Sequence, residues 1–536
     1  MALASAAHLR RLLVRTRSTR RVTRPPSPSE APAELTRTVV DGIALTAVGF
    51  FVSRVLTLAL YLVLARLAAP LVFGRFAAGS IIVGAGTIFV ESGMLSALIQ
   101  RRDRLDEAVN TAFASTLLGG AGLTLCALAA SPLIGLLFSS HEIGLIAAAM
   151  SGVLVVGAAK VVPDALLQRR FSFLRRLVVD PIGVIAFGVT SIVALVYGLG
   201  VWSLVLGTYA SELAQVVASW KASGFRPHLR RASFGMWKEL VRYGRYVLAA
   251  TFIDHVALVV NTVLLGRFVS TSALGEFRYA TRLGIVPQEL VVNAASYVLL
   301  PAFSRISHDQ ERFERGFQRS LLWVMVLVVP ASLLLLPLGR PLVVLLLGER
   351  WLPAGIALMA LCAWSAPRAA GSVIGESLKA AGRTDVLPPL HLLQAVLAIV
   401  FMLAFLPFGL TGIAAGVAVG SVLAQAYALL RAARVLGFGR RAIVGAVWPP
   451  YVAAAPMIAV VFLLDRFSVH AEARGVAAGL ALLVLEALLG LAVYLISLAV
   501  LAPATAAELG GAVHAIRARV GGSLGSPGSN PPSAPV

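Results

Sequence analysis

Charge is scarce in this chain, and negative charge scarcest. Of 536 residues only 25 are Asp or Glu, against 46 Lys or Arg, and the four types together make 13%. Soluble domains carry about a quarter charged residues, so that class is excluded. Cysteine is nearly missing too: Cys126 and Cys362 both fall in apolar stretches and imply neither a disulfide nor a metal site. The first 38 residues lack a long apolar core, so nothing in them resembles a cleaved secretory signal and none is expected. Arg-rich and acid-poor as far as Arg24, they read as a basic tail beside anionic lipid rather than an organellar transit peptide. The sparsely charged connections run to roughly a dozen residues at most, leaving no room for a soluble catalytic domain.

What is present is apolar sequence. The hydrophobic fraction is 58% and the mean hydropathy +0.87. A bilayer core about 30 Å thick takes roughly 20 apolar residues per helix. On that template the chain holds fourteen candidate spans, near 43–66, 76–99, 109–130, 143–166, 178–197, 200–219, 246–267, 275–300, 320–345, 354–377, 386–408, 411–431, 443–464 and 475–500. Lipid offers no partner to open backbone, so the expected class is an all-α integral membrane protein.

A net charge of +21 suggests nucleic acid only until its placement is read. Alternate connections are crowded: Arg101, Arg102 and Arg104; Arg169, Arg170, Arg175 and Arg176; seven cations from Lys221 to Arg245; Arg305 to Arg319; Lys379 and Arg383; Arg431 to Arg441. The intervening ones hold little beyond Arg75, Arg340, Arg350, Arg466 and Arg474. The positive-inside rule then places both termini and all crowded connections in the cytoplasm and agrees with an even span count. No nucleic-acid partner is expected.

The chain also repeats itself. RLAAPLVFGRF (66–76) and RFVSTSALGEF (267–277) share an Arg, seven residues and Gly-x-Phe, with Gly74 matching Gly275 and Phe76 matching Phe277. Further on, Tyr197-Gly198-Leu199 with Gly200 mirrors Phe408-Gly409-Leu410 with Gly412. Spans one to six thus correspond to seven to twelve, a parallel repeat, with thirteen and fourteen added. The expected organisation is a basic tail (1–39), an N-lobe (40–220), a cytoplasmic linker (221–245), a C-lobe (246–440), a two-span addition (441–502) and a Gly/Ser/Pro-rich tail (503–536). Within the linker, Met236 to Tyr246 is amphipathic enough to lie as a helix on the cytoplasmic face.

Ionisable residues inside spans cost about 2.5–3.5 kcal/mol each at mid-bilayer and so call for a reason. Arg54, Glu91, Lys160, Asp164, Asp254, His255, Arg278, Arg282, Glu289, Arg368 and Glu376 all lie in expected spans. Lys160 and Asp164, four apart, are expected to neutralise each other. Arg278, Arg282, Glu289 and Asn293 share one helix face, and Ser365, Arg368, Ser372, Glu376 and Lys379 form a stripe. Such stripes must converge on something polar, for which a water-filled cavity between the lobes is the natural place. Guanidinium groups in low dielectric suit a phosphate or diphosphate. Arg54, Arg278, Arg282 and Arg368 are therefore the candidate substrate ligands. Asp254 and Glu91 are the candidate H⁺ or Na⁺ acceptors, with no other cofactor and no metal expected.

Seven stretches in order carry a resemblance. They are Arg66-Leu67-x-x-Pro70-x-x-Phe73-Gly74, Glu91-x-Gly93-x-x-x-Ala97-Leu98-Ile99-Gln100-Arg101, Pro163-x-Ala165-Leu166-Leu167-Gln168-Arg169-x-Phe171 and Gly200-x-Trp202-x-Leu204-Val205. In the second half come Gly275-x-Phe277-x-Tyr279-Ala280, Leu300-Pro301-Ala302-Phe303-Ser304-Arg305 and Gly348-Glu349-Arg350-Trp351. Over roughly residues 40–440 the chain resembles the Wzx-type polysaccharide flippases of the multidrug/oligosaccharidyl-lipid/polysaccharide superfamily. The resemblance implies a V-shaped pair of six-helix bundles, with two further C-terminal helices, rocking in a bacterial cytoplasmic membrane. It implies no enzyme but a carrier of undecaprenyl-diphosphate-linked oligosaccharide from the cytoplasmic to the outer leaflet, alongside a polysaccharide polymerase and a chain-length regulator. A lipid-II-type flippase is hard to separate from this by sequence. A multidrug antiporter of the same superfamily should show a carboxylate-dominated cavity, against which the intramembrane arginines argue.

Overall fold

The structure, a computed structural model, describes residues 53–87, 98, 103–169, 178–469, 471–503, 505–507 and 511. Among them all regular structure is helical, as backbone in lipid requires. The first part comprises α1 (Ser53–Leu67), α2 (Pro70–Gly79, continuing helical over 81–87), α3 (Leu105–Leu137), α4 (His141–Ser151), α5 (Val153–Arg169), α6 (Asp180–Val196) and α7 (Trp202–Ser223). The second comprises α8 (Phe234–Val263), α9 (Thr271–Gly284), α10 (Val286–Ile306), α11 (Gln310–Leu333), α12 (Leu335–Leu347), α13 (Leu352–Ala360), α14 (Ser365–Ala380), α15 (Leu387–Phe405) and α16 (Gly409–Leu436). Two more close the chain, α17 (Arg440–Leu464) and α18 (Val476–Leu501).

Local chemistry sets the starts of these helices. The hydroxyls of Ser140, Ser233 and Ser270 accept from Ile143, Met236 and Ala273 N–H, satisfying donors that a helix start leaves open. Proline in the first turn begins α2, α6, α10, α13 and α15, where its missing donor is no loss. The outer faces are apolar and bare: Leu118, Leu136, Val196 and Val500 are each more than 70% exposed, as a lipid-facing belt should be.

Burying Leu against Leu gains little over Leu in lipid, so helices here associate by close backbone packing. The α15–α16 hairpin shows it. Gly412, Gly416 and Gly420, one per turn, lie on the backbone of Phe405, Phe401 and Ala398; a Cβ on Gly420 would stand 2.9 Å from Ala398 Cα. Residue numbers rise on one helix as they fall on the other, so the pair is antiparallel.

The chain is an all-helical membrane protein. Six apolar stretches among the described residues are long enough to cross a bilayer, eight with two bent pairs each counted as one. One of the six, the 53-residue stretch Thr384–Leu436, is itself the α15–α16 hairpin. The expected fourteen spans are finer than this, partly because much of spans one and two lies outside the described residues. A second difference concerns the linker. Met236 to Tyr246 forms no separate surface helix; it is the start of α8, which runs unbroken for 30 residues from its Ser233 cap. Met236 and Leu240 bury their side chains with Leu98, Ala108 and Val109, so the amphipathic face meets protein rather than lipid headgroups.

Candidate functional site

The two repeat signatures meet. α2 crosses α9 so closely that a Cβ on Gly74 would overlap the Thr271 carbonyl, and one on Gly275 would overlap the Pro70 carbonyl. The contact is reciprocal: each glycine rests on the residue four positions before the other. Around it lies a shared core of Phe73, Tyr279 and Trp351, with ring centroids 4.4 to 5.6 Å apart. Trp351 Nε1–H donates to the Ala65 carbonyl (2.9 Å), and Tyr279 Oη–H to the Tyr61 carbonyl (2.9 Å). Arg66 donates to the carbonyls of Leu345 and Leu346 at the C-terminus of α12, where the helix dipole favours a cation. This end of the seam between α1–α2 and α9–α13 is shut.

Directly beneath the seal is a cavity of about 260 Å³ bounded by α1, α2, α6, α7, α8 and α9. Arg278 and Arg282, one turn apart on α9, both line it. Arg278 Nη2 donates to Thr262 Oγ1 (2.8 Å), and the Arg282 guanidinium lies over the Tyr61 ring, 3.3 Å from its centroid. Among the described residues no carboxylate reaches either, and none lines the cavity. A cation–π contact is worth about 2 kcal/mol when desolvated, and it leaves the guanidinium charge unneutralised. His255 also lines the space, its ring occupying the room left by Gly84. The combination is a small, net-cationic chamber.

The four candidate arginines do not share one chamber. Arg368 lines a second cavity of about 660 Å³ between α8, α10, α14, α15 and α16. Its Nε donates to Gln288 Oε1 (3.2 Å) and its guanidinium stands 5.1 Å from the Trp364 ring. Arg54 lines neither cavity and forms an ion pair with Glu289 of α10, joining the halves of the chain a second time. Asp254 falls on α8 beside His255, and Glu91 lies outside the described residues.

One pairing differs from expectation. Lys160 meets Glu212 of α7 (2.7 Å), with Gln215 Oε1 at 3.3 Å, rather than Asp164. A cation placed N-terminal to its anion at i,i+4 is the weaker order, and the neighbouring helix offers a better carboxylate. The lining residues Tyr61, Thr262, Gln288, Gln394 and Gln425 escaped sequence reasoning. Ser421 and Gln425, four apart in an apolar span, were the available signal for the last.

Comparison with known proteins decides what holds these chambers. The model of a family described as polysaccharide biosynthesis protein matches residues 63–355, more than half of the chain. The chain belongs to this family. It is thus a Wzx-like membrane transporter for polysaccharide biosynthesis and not an enzyme. It is similar to the succinoglycan biosynthesis transport protein ExoT of Rhizobium meliloti (strain 1021), with 24% identity over 54% of this chain and 58% of that protein. It is also similar to the lipopolysaccharide biosynthesis protein WzxC of Escherichia coli (strain K12), with 23% identity over 79% and 87% respectively. With the first of these, the chain shares little more than half of the relative's length. The fold is shared with the lipid II flippase MurJ in an inward closed conformation, at TM-score 0.71 and 17% identity, covering 85% of this chain and 98% of that one. An inward-facing multidrug resistance transporter of the MATE family matches at TM-score 0.59 and 18% identity, over 72% and 94%.

Proposed function

We propose that this family member carries a polyprenyl-diphosphate-linked oligosaccharide across the membrane by alternating access, from the cytoplasmic to the outer leaflet, with Arg278 and Arg282 gripping the diphosphate. The observation that carries the reading is the pair of guanidinium groups beneath the closed seam with no carboxylate beside them among the described residues. A diphosphate supplies the missing counter-charge and accepts several charge-assisted hydrogen bonds at once. A cavity of about 260 Å³ suits such a headgroup. The family's part in polysaccharide biosynthesis supports the glycan, and a lining without carboxylates among the described residues argues against a drug cation.

In this scheme fourteen helices form two six-helix bundles and a C-terminal pair. The crowded basic connections and both termini face the cytoplasm by the positive-inside rule. The Gly74–Gly275 crossing is then the shut outer gate, and the Arg54–Glu289 pair bridges the bundles about 10 Å deeper along α1, seven residues before Tyr61. Asp254 and Glu91 remain the candidate coupling residues, taking up H⁺ or Na⁺.

The test is export. Arg278→Ala with Arg282→Ala should abolish surface glycan while the protein remains inserted, since neither cavity arginine is left to offset the diphosphate. Export at the wild-type rate by the inserted double variant would overturn the assignment.

A further inference from the structure

A diphosphate needs far less room than the glycan attached to it, and the first cavity cannot hold both. Ligand pockets run to roughly 300–1,000 Å³, a range that the 660 Å³ cavity meets and the 260 Å³ cavity does not. The two adjoin across α8, since Leu258 lines both. The larger follows α14 from Trp364 to Lys379, about 22 Å at 1.5 Å per residue.

Its lining has a different chemistry. The charged groups are engaged with protein: Arg368 with Gln288 (3.2 Å), Lys379 with Glu376 (3.0 Å). Between them the walls carry neutral donors and acceptors, the amides of Gln394 and Gln425 and the hydroxyls of Ser372 and Ser421. Gln425 is only 8% exposed, yet its Oε1 has no hydrogen-bond donor among the described residues. An orphaned amide oxygen in a low-dielectric wall costs about 1–3 kcal/mol, so it awaits a donor. The backbone leaves space for one. Gly371 has no side chain where the Gln425 amide lies across α14, and a Cβ on Gly375, one turn on, would meet nothing within 4 Å.

We propose that this second cavity is the subsite for the sugar residues of the lipid-linked glycan, with Gln394 and Gln425 bonding sugar hydroxyls while the diphosphate occupies the neighbouring chamber. An amide offers one acceptor and two donors without net charge, which matches the alternating donors and acceptors of vicinal hydroxyls. The inference rests on the diphosphate reading above and divides its substrate between two places. Arg368, from its position, belongs to the sugar's surroundings.

The test uses the full chain in lipid nanodiscs and two probes: undecaprenyl diphosphate, and the lipid-linked oligosaccharide extracted from cells lacking this protein. The wild-type chain should bind the second more tightly than the first. Gln394→Leu with Gln425→Leu should weaken oligosaccharide binding at least about tenfold, or 1.4 kcal/mol, and leave undecaprenyl diphosphate within about twofold. A thermal melting transition at the wild-type temperature in the same nanodiscs shows that the variant is folded. Arg278→Ala with Arg282→Ala should weaken both probes. Equal loss of both probes in the folded glutamine variant, or no loss of either, overturns the sugar subsite alone. Loss with the glutamine pair but none with the arginine pair supports the sugar subsite and overturns the diphosphate assignment. A wild-type chain that binds neither probe overturns both.

Discussion

Replacing Gly275 with alanine sets a methyl carbon onto the Pro70 carbonyl and 2.9 Å from the Gly74 nitrogen. Both obstacles are backbone, so no rotamer change relieves the clash, and α2 must move away from α9. Overpacking of this kind costs about 1–3 kcal/mol, all of it charged to the state in which the seam is shut. The ratio of shut to open molecules should then fall by about 5- to 150-fold. A cysteine at Ala273, only 4% exposed within the seam, reports the change. In a background carrying Cys126→Ser and Cys362→Ser, Ala273→Cys should react slowly with a membrane-impermeant maleimide, and faster by that factor once Gly275→Ala is added. Gly119→Ala serves as the control, since a Cβ there meets nothing within 4 Å. An unchanged rate in Gly275→Ala, with the protein inserted, would refute the gate.

Three further outcomes follow from the ion pairs and the coupling candidates. Arg54→Glu or Glu289→Arg alone puts like charges together and should slow export severalfold, while the double exchange recovers it; a double variant no better than either single one would refute the pairing. Lys160→Met leaves Glu212 without its cation in a wall where the two side chains are 12% and 18% exposed. It should lower thermal stability by about 3–5 kcal/mol, with Glu212→Leu in the same chain restoring most of it in a detergent melting assay. Asp254→Asn should reduce glycan turnover more than glycolipid retention, and equal loss of both would speak against a coupling role.

Sequence periodicity was enough to read the helices, because they depend on local spacing. Apolar runs placed most helix cores within a few residues, and the Gly-x-Phe signatures marked two segments that lie against each other. Arg278 and Arg282 were legible as a pair for the same reason: four residues on one helix make one face. The partition of the site was not legible. Arg368 shares a charge and a depth with that pair, but only the packing of α8 between them puts it in another chamber. Arg54 has no acid near it in sequence; Glu289 reaches it from the other half of the chain. Lys160 exchanged a weak intrahelical partner for a stronger one on α7. The glutamines were hidden because an amide in an apolar span carries no charge to draw notice.

The anchoring of α8 has a mechanical corollary. Just before it, His228 N–H donates to Asn110 Oδ1 (2.6 Å), Ser233 N–H to Thr111 Oγ1 (3.0 Å), and the Ser233 hydroxyl to Glu107 (2.5 Å), strapping the incoming chain to α3. The far end of the same rod carries His255 and Thr262 into the arginine chamber. With its root strapped to α3 and its tip in the arginine chamber, α8 is a lever arm. Under the proposed alternating access the motion would bend α8 along its length, and Gly244, midway between Ser233 and His255, is where a helix bends with least resistance.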